Sequence, residues 1–242
     1  MSTKQQEKDF LAHYNVHDHD IPLSCVDVVI FTIIKDQLNV LITQREDFPF
    51  KGNWAIPGGF IDINQDKDIE QTAQRKLKEK TGYDAPYLEQ LGATGNNTRD
   101  PRGWSLTVTY FALVNADNVV FGKDSCWCEL NDGGIIQEKL AFDHALLIKD
   151  AFQRLKNKTQ YTTIALHVLP PKFTLSELQK CYETILGGKL NKSGFRRRII
   201  KSNVIEEIKG ESKQTATRMA QLYRKSDDEL HFYLREIYPT FS

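Results

Sequence analysis

Residues 75–83 read RKLKEKTGY. In helical register, positions 76, 79 and 80 lie one above another, where three side chains can converge on one point. A divalent cation held there needs several hard oxygen ligands. The chain offers Lys76, Glu79 and Lys80, one carboxylate between two ammoniums. Such a face repels a divalent cation at contact distance, and alone it reads as a solvated amphipathic helix end. A second kind of chemistry comes from guanidinium groups. Arg45 stands in one loop-forming stretch and Arg99 and Arg102 in another, RDPRG, so their guanidiniums can clamp phosphate oxygens with bidentate geometry. Phe48, Phe50 and Trp104 lie nearby in sequence, with the shape to stack on a base. A third is the basic cluster FRRRIIK at 195–201. Cys25, Cys126, Cys128 and Cys181 form no CxxC pair, and read as reduced thiols rather than a metal set. His17 and His19 in VHDHD read as exposed residues of a polar arm.

The elements that must position these groups are legible in outline. VDVVIFTII and LNVLIT, broken by KDQ, predict a hairpin in a buried sheet. GNWAIPGGF then ends a strand in a permissive glycine loop at Gly58 and Gly59. Ile69, Ala73 and Leu77 recur every four residues, the buried face of a helix that Gly82 ends as a left-handed cap. The order strand, glycine loop, helix suits an anionic nucleotide.

WAIPGGF followed by a helix ending in R-x-L-x-E-x-T-G resembles the Nudix box, through Gly58, Gly59, Arg75, Leu77, Glu79 and Gly82. The resemblance implies an α/β/α sandwich with a mixed sheet. In Nudix hydrolases the helix carboxylates hold Mg²⁺ or Mn²⁺, which bridges a pyrophosphate and activates water. This chain departs from that pattern where the metal sits. Lys76 and Lys80 replace two glutamates, a change of about four charge units. The upstream glutamate position falls on Lys67, and the loop after Gly59 is longer than usual. The flanks REDFPFKGNWAIPGGF and RDPRGWSLTVTYFALV resemble the branch of the superfamily that recognises ADP-ribose. That likeness points to Arg45, Phe50, Gly58, Gly59, Glu79, Arg99, Arg102 and Trp104 as effector-binding residues, with no catalytic residue and no metal.

The second half reads differently. KLAFDHALLIKDAFQRLKN (139–157) predicts a linking helix, with 143–149 in its middle. Pro170 and Pro171 close a short helical run, and Thr174 with Glu177 forms a capping-box pattern before LSELQKCYETIL. Gly187-Gly188 end that helix, and a short KLNKSG turn leads into the basic cluster. Helix, turn, basic helix is the order of a helix-turn-helix. Phe195 and Ile199 should pack inward, leaving Ser193, Arg197 and Lys201, with Arg198 beside them, for the major groove. Lys192 and Arg196 fall at phosphate-contact positions. NVIEEIKGESKQTATRMAQLYRK predicts a wing of two strands with its tip near Gly210, flanked by Lys209 and Lys213.

LPPKFTLSELQKCYE…LNKSGFRRRI resembles the C-terminal domain of the NrtR family, Nudix-related regulators of NAD metabolism. The resemblance then spans nearly the whole chain. It implies an N-terminal arm (1–20), an effector-binding domain (21–150) and a winged helix-turn-helix domain (158–242). It further implies a homodimeric repressor that binds a near-palindromic double-stranded DNA operator, responds to ADP-ribose or a related NAD metabolite, and needs no cofactor. An active Nudix pyrophosphatase with an appended interaction domain is the alternative, and a C-terminal domain that binds protein is a third reading.

Charge fits the division. Residues 1–153 hold 15 lysines and arginines against 23 aspartates and glutamates, a net −8; residues 154–242 hold 17 against 9, a net +8. A basic half suggests a polyanionic partner, and an acidic half discourages stray DNA contact. No apolar run approaches the length of a membrane span, and the polar N-terminus lacks a signal-peptide core, so a cytoplasmic location is expected.

Overall fold

The structure, a computed structural model, describes residues 3–120, 122–131, 133–215, 219–227, 229–233 and 237. The N-terminal arm begins with α1 (Thr3–His13), a polar helix with no buried residue. The hairpin predicted from the valine-rich runs forms as β1 (Leu23–Ile34) and β2 (Gln37–Gln44), paired antiparallel. Lys35 and Asp36 make the turn at φ 49 and 65, the left-handed values that two-residue hairpin turns demand. β3 (Trp54–Ala55) and β4 (Gly58–Phe60) are parted by Ile56 and Pro57; Gly58 and Gly59, expected in a loop, belong to β4 and pair with Asp27 and Val26 of β1. α2 (Ile69–Thr81) follows, started by the Asp68 side chain and ended by Gly82 at φ 66.

β5 (Tyr87–Asn96), β6 (Ser105–Leu113) and β7 (Ser125–Glu129) complete the sheet. Its order is β3-β2-β1-β6-β5, with β4 also on β1 and β7 on β2. Only β1 and β6 run parallel among these pairings, so the sheet is mixed. Alternation along β1 then sorts side chains to two faces. Val26, Val28 and Ile30 pack with Ala73 and Leu77 of α2. Val29 and Phe31 face the other way, onto Leu147, Ile148 and Ala151 of α3 (His144–Tyr161). Helices on both faces make the α/β/α sandwich.

α3 starts at His144, not near 139, so Asp143 occupies its N-cap rather than the middle of a helix. Phe142, at φ 53, turns the chain just before it. The helix also runs past 157, to Tyr161. Beyond a buried 3-10 turn (Ile164–Val168) come β8 (Phe173–Thr174), α4 (Leu175–Leu186) and α5 (Lys192–Lys201). The Thr174–Glu177 capping box is complete, and Gly187 ends α4 at φ 73. Asn191 caps α5, so Lys192 and Ser193 belong to the helix rather than to the turn before it.

β9 (Ile205–Gln214) and β10 (Met219–Lys225) form the wing, with β8 as a third strand on β10. The expected tip at Gly210 is wrong. Gly210 lies inside β9, and pairing continues to Gln214 with Met219. Residues 216–218, between the paired Gln214 and Met219, lie outside the described residues. On the α3 face the two halves share a core: one apolar cluster runs from Val29 and Phe31 through Leu147 and Leu155 to Leu178, Ile185 and Ile199.

Candidate effector cavity and nucleic-acid face

Three segments far apart in sequence meet at one end of β1. The β2–β3 loop brings Arg45, β4 brings Gly58 and Gly59, and the β5–β6 loop brings Arg99 and Arg102; all five line one cavity. Gly58 is required by proximity. A Cβ there would stand 2.2 Å from Asp27 Oδ1 and 2.7 Å from the Val26 carbonyl oxygen. Gly59 sits at φ 149, a backbone region that L side chains rarely adopt, and the Lys76 side chain crosses 3.1 Å from where its Cβ would be.

The arginines are not equivalent. Arg45 donates Nε to the Pro49 carbonyl at 2.8 Å and lies over the Phe142 ring at 4.7 Å. Burial, followed by the like charge of Arg102, lowers its pKa. Arg102 pairs with Asp100 at 2.7 Å and covers Phe60 at 5.1 Å. Both present cationic edges to the cavity. Arg99 is only 4% exposed at its side chain and forms the floor. It donates Nε and Nη2 to the two oxygens of Asp143 at 3.0 and 2.9 Å, and Nη2 also approaches Asp27 at 3.4 Å. Burial alone would lower the Arg99 pKa, but Asp143 and Asp27 outweigh it and raise it.

Other expected residues stand outside the cavity. Phe50 packs edge-on against Phe142 at 4.9 Å without lining the cavity, whereas Phe48 lines it and is 80% exposed. Trp104 covers Gly95 at the sheet edge, its ring 3.0 Å from where a Cβ would be. Glu79 is held by Arg75 at 2.9 Å and Lys76 at 3.0 Å. Burial raises the Glu79 pKa, but those two donors outweigh it and leave it lowered. Asp66, which could have replaced a lost carboxylate, is claimed by Arg75 at 2.7 Å, and that bond holds its pKa well below the usual range. Lys80 pairs with Asp124 at 3.3 Å. Glu79 and Asp66 do not fit Mg²⁺ as they stand, because each already neutralises a fixed cation.

Several cavity residues were missed, among them Asp27, Phe60, Phe142 and His144. Asp27 is a carboxylate inside the apolar run CVDVVI, an anomaly that was itself the signal. His144 and Phe142 were hidden by the assumption of a continuous helix, and Phe60 by its place directly after the two glycines. Ile56 N–H donates to His144 Nδ1 at 3.1 Å. Burial lowers the His144 pKa despite the nearby Asp27 and Asp143.

On the other half, α5 presents Lys192, Ser193, Arg197 and Lys201 to solvent, with Phe195 and Ile199 buried beneath. Arg198 is half-buried and lines a cleft with Arg197 and Lys201. Arg196 departs from its expected phosphate role. It is half-buried and donates Nη2 to Ser176 Oγ at 2.9 Å, strapping α5 to the start of α4. Lys213 is likewise engaged, with the capping-box Glu177 at 2.6 Å. Lys209 is exposed on β9, away from the hairpin tip.

A Nudix-type sandwich with an arginine-lined cavity, built into one core with a basic winged helix, defines a two-part class of protein. Models of the two parts match in that order: the NUDIX domain at residues 24–151 and the NrtR DNA-binding winged helix domain at 165–224. The chain is 49% identical over 222 residues to the ADPR responsive transcriptional repressor NtrR of Acinetobacter baylyi, covering 90% of this chain and 88% of that one. Shewanella oneidensis NrtR, crystallised with a 27mer DNA, matches with TM-score 0.81 and 40% identity over 89% of this chain and 99% of that one. The NUDIX domain of the same Shewanella protein, crystallised with ADP ribose, matches with TM-score 0.56 and 46% identity over 62% and 98%. This chain belongs to the NrtR family of Nudix-related transcriptional regulators.

Proposed function

We propose that this protein is an ADP-ribose-responsive transcriptional repressor of genes for NAD biosynthesis or use, acting in the cytoplasm as a homodimer. Residues 21–150 serve as the sensor and 158–242 as the reader. The observation that carries the reading is one continuous core joining a cavity edged by Arg45 and Arg102 to an exposed basic helix. Two guanidiniums lining one cavity suit a pyrophosphate, and the exposed Phe48 offers a face to a base. On the reading side, Ser193, Arg197 and Lys201 contact base edges while Lys192 meets phosphate; a dimer reads half-sites about one or two helical turns apart.

The sensor has ceased to be a hydrolase on this reading, since the carboxylates that would hold a metal are absent or spent on Arg75 and Lys76. Fluorescence anisotropy of a labelled promoter fragment, with and without ADP-ribose, tests the regulatory function. ADP-ribose is expected to weaken DNA binding, which requires it to bind the DNA-free arrangement more tightly than the DNA-bound one. Unchanged affinity would remove ADP-ribose as the effector. Magnesium-dependent turnover of ADP-ribose, abolished by Glu79→Gln, would restore the pyrophosphatase reading.

A further inference from the structure

The cavity floor and the first turn of α3 share one guanidinium. Arg99 lines the cavity, yet two of its nitrogens are committed to Asp143, the N-cap residue of α3. The Asp143 side chain makes no capping bond to its own helix. It is spent on Arg99 instead. The remaining nitrogen, Nη1, has only long contacts, to Ser105 Oγ at 3.5 Å and Cys25 Sγ at 3.7 Å.

α3 is the element through which such a contact can be felt elsewhere. Its Leu147, Ile148, Ala151 and Leu155 lie in the same core as Leu178 and Ile185 of α4, the first helix of the reading unit. A well-packed core passes on a displacement rather than absorbing it. α4 in turn meets the β1–β2 turn, where Thr184 Oγ1 donates to the Asp36 carbonyl at 3.0 Å.

We propose that Asp143 is the positioning residue that couples cavity to reader, by competing with an anionic ligand for Arg99. The guanidinium is a rigid planar fork. A phosphate that draws it into the cavity draws it off Asp143 and frees the start of α3 to shift against α4. The proposal deepens the repressor reading and rests on it, because it specifies how ligand and operator affinities are linked. Linkage then fixes the signs. An ion pair that opposes ligand binding lowers ligand affinity while it exists, so removing its carboxylate tightens the ligand. The same removal weakens the operator before any ligand is added.

The test uses the full chain with Asp143→Asn and Asp143→Ser. Both delete the charge and keep a residue suited to a helix start, and either variant that folds by circular dichroism decides. Calorimetry should show ADP-ribose bound at least about fivefold more tightly than by the unaltered protein. Operator affinity without ligand should fall, and the further loss on adding ADP-ribose should shrink. Asp143→Glu should recover most of the unaltered behaviour. Glu89→Gln serves as the control, since Glu89 anchors α3 through Arg154 and Lys158 far from the cavity. It loosens the helix and should leave ADP-ribose affinity unchanged.

Unchanged or weaker ADP-ribose binding in the Asp143 variants overturns the proposal, as does equal tightening by Glu89→Gln. If the unaltered protein keeps its operator in ADP-ribose, the repressor reading fails on its own account. Calorimetry on the Asp143 variants still decides whether carboxylate and ligand compete.

Discussion

Lys76 lies across Gly59 with its ammonium on Glu79, so a fixed positive charge occupies the ground where the hydrolases of this superfamily gather carboxylates. Substituting Lys76→Glu and Lys80→Glu together should create measurable Mg²⁺ affinity, read by metal titration. No gain would mean that Glu79 is not oriented to share a cation. Hydrolysis should stay absent, because Asp66 remains locked to Arg75. Stability should change little, since these ion pairs are partly exposed and such pairs contribute at most about 1 kcal/mol. At Gly58 the opposite holds. Gly58→Ala forces a methyl group into Asp27 and the Val26 carbonyl, so it should abolish ADP-ribose binding in calorimetry and lower Tm by several degrees. Lys76, Lys80 and Gly58 were visible in the sequence because a local motif frames them. The Asp27–Arg99–Asp143 arrangement was not, because its members are brought together only by pairing β1 with β6 and docking α3.

Among the elements, α5 has a division of labour that its RRR run concealed. Arg197 faces solvent while Arg196 braces Ser176. Arg197→Ala should therefore weaken operator binding by about 1–3 kcal/mol and relax sequence preference, as measured by anisotropy on altered operators. Lys192→Ala should weaken all sequences alike and reduce the salt slope by about one. Arg196→Ala should act mainly on stability, and a melting experiment should show the larger effect. The helices were legible because their stop and start signals are local: Gly82 for α2, Thr174, Glu177 and Gly187 for α4. The wing was misplaced because a glycine in mid-strand imitates a turn. Gly210, at φ 78, sits in an irregular stretch between Glu207 and Ser212 where the pairing with β10 shifts register and then resumes, and a window of nearby residues does not contain that information.

Over the whole molecule, buried charge sets a limit at low pH. His144 has a folded pKa below its unfolded value of about 6.5, because burial disfavours the imidazolium. The unfolded chain therefore binds that proton more readily. Stability is full above about pH 6.5 and is lost as pH falls through it towards the folded value. Tm should drop between pH 7.5 and 5.5, and His144→Gln should remove part of the drop in calorimetric scans. An equal drop in the variant would place the acid sensitivity elsewhere.

The division of charge into a −8 half and a +8 half has a further consequence, for the approach to DNA rather than for the complex. A neutral molecule with such separation carries a large permanent dipole. In the field of a duplex it is turned before it is pulled, so collisions arrive reader first and few are wasted. The gain belongs to the association rate, and it fades as salt shortens the range of the field below the size of the protein. Zero net charge thus conceals an orienting torque.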